Sequence, residues 1–295
     1  MRITQKAVAL TSLQGLNRNL DAVGKLQQQL TSGRLINAPS DSPTGTNKAM
    51  QTRSEQAAVA QQSRNLSDAR SWLEQTDSTL QSMIDTSRRV RDLTVQGLNT
   101  GAQSDVAQAA LATEVTALRD GLLSLANVTI QGRPLFGGVT SGGKAYDAST
   151  GDWLGRDGTP VTRRVSDTEK IRVDMTGPEA FGPPGNDLFT IVQRIADDLV
   201  GGLPGAVDAH LADLDVIMNQ MSSAVADVGT RASRVDRLDQ INSDRSISLV
   251  QTLGETENID LPNTIMRLEM QKVGYEAALA ATAKSLQPTL LDYLR

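Results

Sequence analysis

The sequence predicts a mainly α protein: an elongated antiparallel helical rod or coiled-coil bundle with a small β-rich inserted domain. Three observations predict it. Apolar side chains recur at steps of three and four over most of the 295 residues. Residues 46–100 contain no proline and one glycine, Gly97. Between Asn127 and Gly185 the texture changes to β-branched residues, Gly, Pro, Asp and Thr.

Residues 4–32 place Ala7, Leu10, Leu13, Leu16, Leu20, Val23, Leu26 and Leu30 on one helical stripe. Gly33 can adopt the left-handed conformation that stops a helix, and Pro39 cannot continue one. Ser42 followed by Pro43 reads as an N-cap and first helical position, with Asp41 favourable at the positive end of the dipole. The next stripe runs Leu66, Ala69, Trp72 or Leu73, Thr76, Leu80, Met83 or Ile84, Val90 and Leu93. As one helix, 46–100 would span on the order of 80 Å, more than a compact domain's diameter.

Asn99-Thr100-Gly101 signals a turn. Val106, Leu111, Val115, Leu118, Leu122 and Leu125 then continue the pattern antiparallel to it. VTIQGRPLFGG, from Val128, reads as a hairpin, and the residues after it as a small β-rich insert with short runs at 160–165 and 170–175. Asn186-Asp187 caps a returning helix, and Gly201, Gly202, Pro204 and Gly205 interrupt it. A long pattern from Ala206 to about Glu257 carries Val207, Leu214, Met221, Val228, Val235 and Ile241. Asp260 caps a last helix, whose Ile265, Leu268, Lys272, Tyr275, Leu279, Thr282 and Leu286 keep a strict coiled-coil register with two polar entries. Pro288 ends it before the tail TLLDYLR.

Composition limits the function classes. Aromatics are 3% of the chain, so any core is expected to be built mostly from Leu, Ile, Val and Ala, whereas a small-molecule pocket usually recruits some aromatic residues. The net charge of −5 argues against a nucleic-acid backbone as partner. Absence of cysteine excludes disulfides, thiolate metal sites and cysteine nucleophiles. The N-terminus lacks the apolar stretch of a secretory signal, and no apolar run approaches the roughly 20 residues that span a bilayer. The expectation is a chain that leaves the cell, if it does, without a cleaved signal or a membrane anchor.

Sites for chemistry are few. His210 is the only histidine, with Asp213 one turn away, and is expected on a helix surface. Gly137-Gly138 and Gly142-Gly143 lack the Lys-Ser/Thr of a phosphate loop and are expected to be flexible. Arg88 and Arg91 share a face, with Asp85 and Asp92 as expected compensating charges. Asp197 and Asp198 point about 100° apart, so they are not expected to act as a pair. No cofactor, metal site or catalytic residue is expected.

LTSGRLINAPSDSPTG, with Ser32, Gly33, Asn37 and Asp41, resembles the N-terminal signature of the bacterial flagellin family. The C-terminal stretch RLDQINSDRSISLVQTLGETENIDLPNTIMRLEMQKVGYEAALAATAKSL, then LLDYLR, is similar to the family's C-terminal half. Three details resemble its hook–filament junction members more than its filament subunits: Asp41-Ser42-Pro43, GRPLFGG at 132–138, and the ending Leu291-Asp292-Tyr293-Leu294. The likeness covers roughly 1–138 and 186–295.

The resemblance implies a non-enzymatic structural subunit of the bacterial flagellum, extracellular, joining hook to filament. Implied partners are the hook-side junction protein, flagellin, copies of itself in a ring, and a cytoplasmic export chaperone on the C-terminal helix. Neither nucleic acid nor membrane is among them. Implied segments are 1–42 and 258–295 as the two halves of an inner terminal coiled-coil layer, 43–138 and 186–257 as the rod, and 139–185 as the insert. The expected assembly interface is Leu10, Leu13, Leu16, Leu20, Val23, Leu30, Ile265, Leu268, Tyr275, Leu279 and Leu286, because a pair of roughly 25-residue helices leaves half of any apolar band uncovered. Two other readings remain: filament flagellin itself, and a glycan-acting enzyme using two carboxylates among Asp147, Asp152, Asp157 and Asp167.

Overall fold

A computed structural model describes residues 5–98, 105–140, 142–201 and 204–286. The expected turn at Asn99–Gly101, the helix end at Pro288 and the tail after it lie outside the described residues. Within them the chain is mainly helical: α1 (Gln5–Ser32), α2 (Pro43–Leu98), α3 (Asp105–Ala126), α4 (Gly177–Phe181), α5 (Leu188–Gly201), α6 (Pro204–Glu257) and α7 (Leu261–Leu286). The strands are β1 (Thr129–Ile130), β2 (Arg133–Pro134), β3 (Thr162–Arg164) and β4 (Lys170–Arg172), in two separate antiparallel hairpins.

The helix ends follow local chemistry. Gly33 has φ +69°, the left-handed conformation that terminates α1. The Ser42 hydroxyl accepts from the Gly45 N–H at 3.1 Å, and Pro43 opens α2. Asp187 accepts from the N–H groups of Phe189 and Thr190, both at 3.0 Å, at the head of α5. Asp260 accepts from the Asn263 N–H at 3.2 Å before α7. Asp41 does not sit over the α2 dipole alone. Its carboxylate accepts from the Asn37 and Ala38 N–H groups, at 3.2 and 3.0 Å, and so closes the loop before the helix.

The chain forms two compact units, Val59–Asp244 and Met1–Ala58 with Arg245–Arg295. In the first, the predicted stripe of α2 is buried from Leu66 to Leu93 against Leu111, Val115 and Leu122 of α3, the apolar face of α5, and Leu214, Met221, Val228 and Val235 of α6. Two predicted stripe residues stay outside. Val106 is exposed at the start of α3. Ile241 is exposed because its neighbour Asn242 takes the inward position and donates to the Val59 carbonyl at 3.1 Å.

Among its described residues, the insert expected to be β-rich contains only β3 and β4 as strands, with turns, isolated bridges and α4 beside them. Its density of Gly, Pro and Asp leaves little chain able to sustain a ladder. It packs on the helices through aromatics. Phe181 meets Phe136, Tyr146 and Phe189 edge-on, with ring centroids 4.8, 6.0 and 5.8 Å away. Asn127 fixes the entry: its side-chain oxygen accepts from the Ala145 and Tyr146 N–H groups, both at 2.9 Å, and its amide donates to the Tyr146 carbonyl at 3.0 Å. Gly138 is not a flexible joint. A Cβ there would lie 2.5 Å from the Arg156 carbonyl oxygen, and φ is +64°.

One surface turn is tied to pH. The Asp147 carboxylate accepts from the Ser149 hydroxyl and from the Ser149 and Thr150 N–H groups, which lowers its pKa to about 2. The folded value lies below the ordinary one, so the contribution is present above the ordinary carboxylate range and lost as pH falls toward 2. Thermal melts of the wild-type protein and Asp147→Asn are expected to differ at pH 6 and to converge as pH approaches 2. A gap independent of pH would contradict this role.

Candidate assembly surface

α1 and α7 lie side by side within the unit that carries both chain ends. Their root is stitched where the two helix breaks meet. Leu35 N–H donates to the Glu257 carbonyl at 2.6 Å, Ile259 N–H donates to the Gly33 carbonyl at 3.2 Å, and Arg34 bridges Asn258 in antiparallel fashion. Arg53 pairs with the buried Glu257 at 2.8 Å. Because α1 runs into this root and α7 runs out of it, the two helices are antiparallel. Further along, Gln271 donates to the Asn19 side-chain oxygen at 3.1 Å.

The expected interface residues divide into two sets. Val23 and Leu268 turn toward the seam and are 9% and 8% exposed. Leu16, Leu30 and Tyr275 are half-buried. Leu10, Leu13, Leu20, Ile265 and Leu279 are exposed, Leu20 at 52% and Leu279 at 43%. Leu286 ends α7, and its side chain lies outside the described residues. Of the two polar entries in the register, Lys272 pairs with Glu269 at 2.9 Å, and Thr282 donates back to the Ala278 carbonyl at 2.7 Å. Each polar group therefore finds its partner on its own helix.

A second stripe escaped the single-register reading. Met266, Met270 and Val273 are exposed on α7. Their steps of four and three put them on the face opposite Leu268, at about 100° per residue. α7 therefore carries apolar side chains on two faces, one against α1 and one uncovered. Methionine fills irregular gaps and adapts to the shape it meets, which suits a surface awaiting a partner.

The charge clusters also differ from expectation. Arg91 pairs with Asp215 of α6 at 2.8 Å and Arg89 with Glu114 of α3 at 2.8 Å, while Arg88 keeps Asp85 at 2.8 Å. Packing brings opposite charges from other helices within reach, while Asp92 acts on Arg91 through its charge without an ion pair among the described residues. His210 is half-buried and lies 3.4 Å from Asp198 and 3.7 Å from Asp213. The α5–α6 connection brings Asp198 to it, which local spacing could not reveal. Among the described residues no group of three His, Asp or Glu side chains could hold a metal. No described helix is long and apolar enough to cross a membrane. Of the carboxylates considered for glycan chemistry, Asp147 is taken up by its own turn and Asp167 accepts from Gln62 at 3.0 Å.

Residues 3–141 match the family described as the bacterial flagellin N-terminal helical region. This stretch, a little under half of the chain, is similar to that family. The likeness extends over the whole length. Flagellar hook-associated protein 3 of Salmonella typhimurium is 24% identical over 302 residues, covering 94% of this chain and 95% of that one. Flagellin of Bacillus subtilis is 26% identical over 298 residues, covering 97% of each. Among solved structures, a flagellar hook-associated protein from Vibrio parahaemolyticus aligns with a TM-score of 0.68 at 22% identity, covering 74% of this chain and all of that one. FlgL of Bacillus cereus aligns with a TM-score of 0.61 at 20% identity, covering 69% and 99%. These similarities establish a flagellin-type helical fold. Within it, the paired terminal helices leave leucines and methionines uncovered.

Proposed function

We propose that this protein is a structural subunit of the bacterial flagellum that joins hook to filament. The whole-length similarity to hook-associated protein 3 of Salmonella typhimurium carries the reading. The uncovered apolar band on α1 and α7 supplies its physics. Two helices sharing one seam leave Leu10, Leu13, Leu20, Ile265 and Leu279 in water, and burying such side chains contributes about 25 cal/mol per Å² of apolar surface. Neighbouring subunits in a tubular layer provide that burial.

The partners in this reading are the hook-side junction protein below, flagellin above, and copies of the chain in a ring. A cytoplasmic chaperone would cover α7 before export to a place outside the cell. The work is mechanical, and no catalytic step is assigned.

A deletion strain tests the reading. Loss of attached filaments, with monomeric flagellin shed into the medium and recovery on complementation, is the expected result. Filaments retained at normal number and length would overturn it. The whole-length similarity to Bacillus subtilis flagellin favours one other reading, a filament subunit. Long filaments formed by the purified protein alone would select it, whereas a junction subunit stays monomeric or assembles only with its partners.

A further inference from the structure

The face on which α1 and α7 meet differs in kind from the faces they leave uncovered. On α1 the residues withdrawn from water include Ser12, Leu16, Asn19, Val23, Leu26 and Leu30. On α7 they include Thr264, Leu268, Gln271, Tyr275, Ala278 and Thr282. Each set steps by four and three, the spacing of a coiled-coil seam. Near its middle the Gln271 amide donates to the Asn19 side-chain oxygen at 3.1 Å. Among the described residues this is the side-chain hydrogen bond that joins the two helices. Thr264 and Thr282 turn their hydroxyls back to the carbonyls of Asp260 and Ala278.

The backbone bonds at the root join Gly33 to Ile259 and Leu35 to Glu257. Asn19 lies about 20 Å of helix beyond them. The root therefore fixes where the helices start and leaves their facing to the seam itself. Apolar spacing does not settle that facing. Leu10, Leu13 and Leu20 are exposed about a third of a turn from the seam of α1, and Met266, Met270 and Val273 are exposed on the far side of α7. By spacing alone the inner face of α1 could lie on either side of α7, in its own chain or in a copy. The amides decide between them. Against Gln271, Asn19 is satisfied. Met266, Met270 and Val273 offer it no donor, and an amide buried without a partner weakens a pairing about tenfold or more.

We propose that Asn19 and Gln271 are the specificity-determining pair of the terminal helices. Their bond selects which faces meet within one chain, and so keeps the leucine and methionine faces outward. A complementary polar pair in a seam gives up some stability relative to leucine and in return disfavours other alignments. Use of the outward faces by neighbouring subunits rests on the flagellar reading; the selection itself does not.

The chain contains no cysteine, so introduced pairs report alone. Two turns from the Asn19–Gln271 bond, Ser12 comes level with Ala278 across the antiparallel seam, while Ala277 falls on the Met266–Met270 face. A disulfide needs close and correctly aimed Cβ atoms, so it discriminates between the two. In the full chain with Asn19 in place, Ser12→Cys with Ala278→Cys is expected to oxidise at least about tenfold faster than Ser12→Cys with Ala277→Cys. Adding Asn19→Leu is expected to raise the second bridge, within a chain or between copies, and to bring the two rates close to parity. Asn19→Gln keeps an amide and is expected to restore the preference. A bond that merely strengthened the pair would show as an equal loss of both bridges in Asn19→Leu. That equal loss, parity with Asn19 in place, an unchanged preference in Asn19→Leu, or the same change in Asn19→Leu and Asn19→Gln would overturn the proposal. The rates are measured on the purified chain in solution, so their failure leaves the filament-attachment result standing.

Discussion

Leu20→Asp and Leu279→Asp are expected to leave the monomer folded and to abolish its incorporation into the flagellum. Both side chains are about half in water in the lone chain, at 52% and 43% exposure. A surface substitution away from any special feature changes stability by roughly 0.5 kcal/mol or less. Inside an assembled layer the same carboxylate would be desolvated without a partner, at a cost of several kcal/mol. At about 1.4 kcal/mol per decade, the expected loss of incorporation exceeds about a hundredfold. Circular dichroism of the purified variants and filament counts in complemented cells check the two halves separately.

Val23→Asp and Leu268→Asp give the contrast. These residues are buried between α1 and α7 within a single chain, so a charge there opens the pair in the monomer itself. Hydrogen exchange of α1 should rise in this second pair of variants and stay at the wild-type level in the first. Normal filament attachment by Leu20→Asp or Leu279→Asp would remove the assembly band from consideration.

The second large effect lies in the aromatic cluster. Phe181→Ala is expected to destabilise the unit Val59–Asp244 by about 3–5 kcal/mol, the usual cost of emptying a fully buried aromatic site. Phe181 is inaccessible to solvent and touches three other rings, which hold one another edge to face and cannot all collapse into the space it leaves. A typical domain has about 5–15 kcal/mol to lose. The variant should therefore unfold at markedly lower urea, with the slope of the transition unchanged. A shift below about 1 kcal/mol would mean that the insert packs on the helices mainly through other contacts.

The sequence by itself determined where the long helices run, where α1 stops and where α2, α5 and α7 begin. Gly33, Ser42-Pro43, Asp187 and Asp260 act within four residues of themselves, through a left-handed turn or a side chain that accepts from a nearby N–H. Such signals need no tertiary context. The stripe from Leu66 to Leu93 was equally legible, because helical spacing alone places those side chains on one face.

Partners far apart along the chain were decided only by the tertiary structure. Arg91 finds Asp215 instead of the adjacent Asp92, Asp198 reaches His210 across a helix break, and Asn242 displaces Ile241 from the core by bonding to Val59. The division of the terminal band is of the same kind. Its apolar residues could be read from spacing, but one helix can cover only one side of another. The rotation of α7 against α1 therefore chose Leu268 for the seam and left the Met266–Met270 stripe on the far face in water.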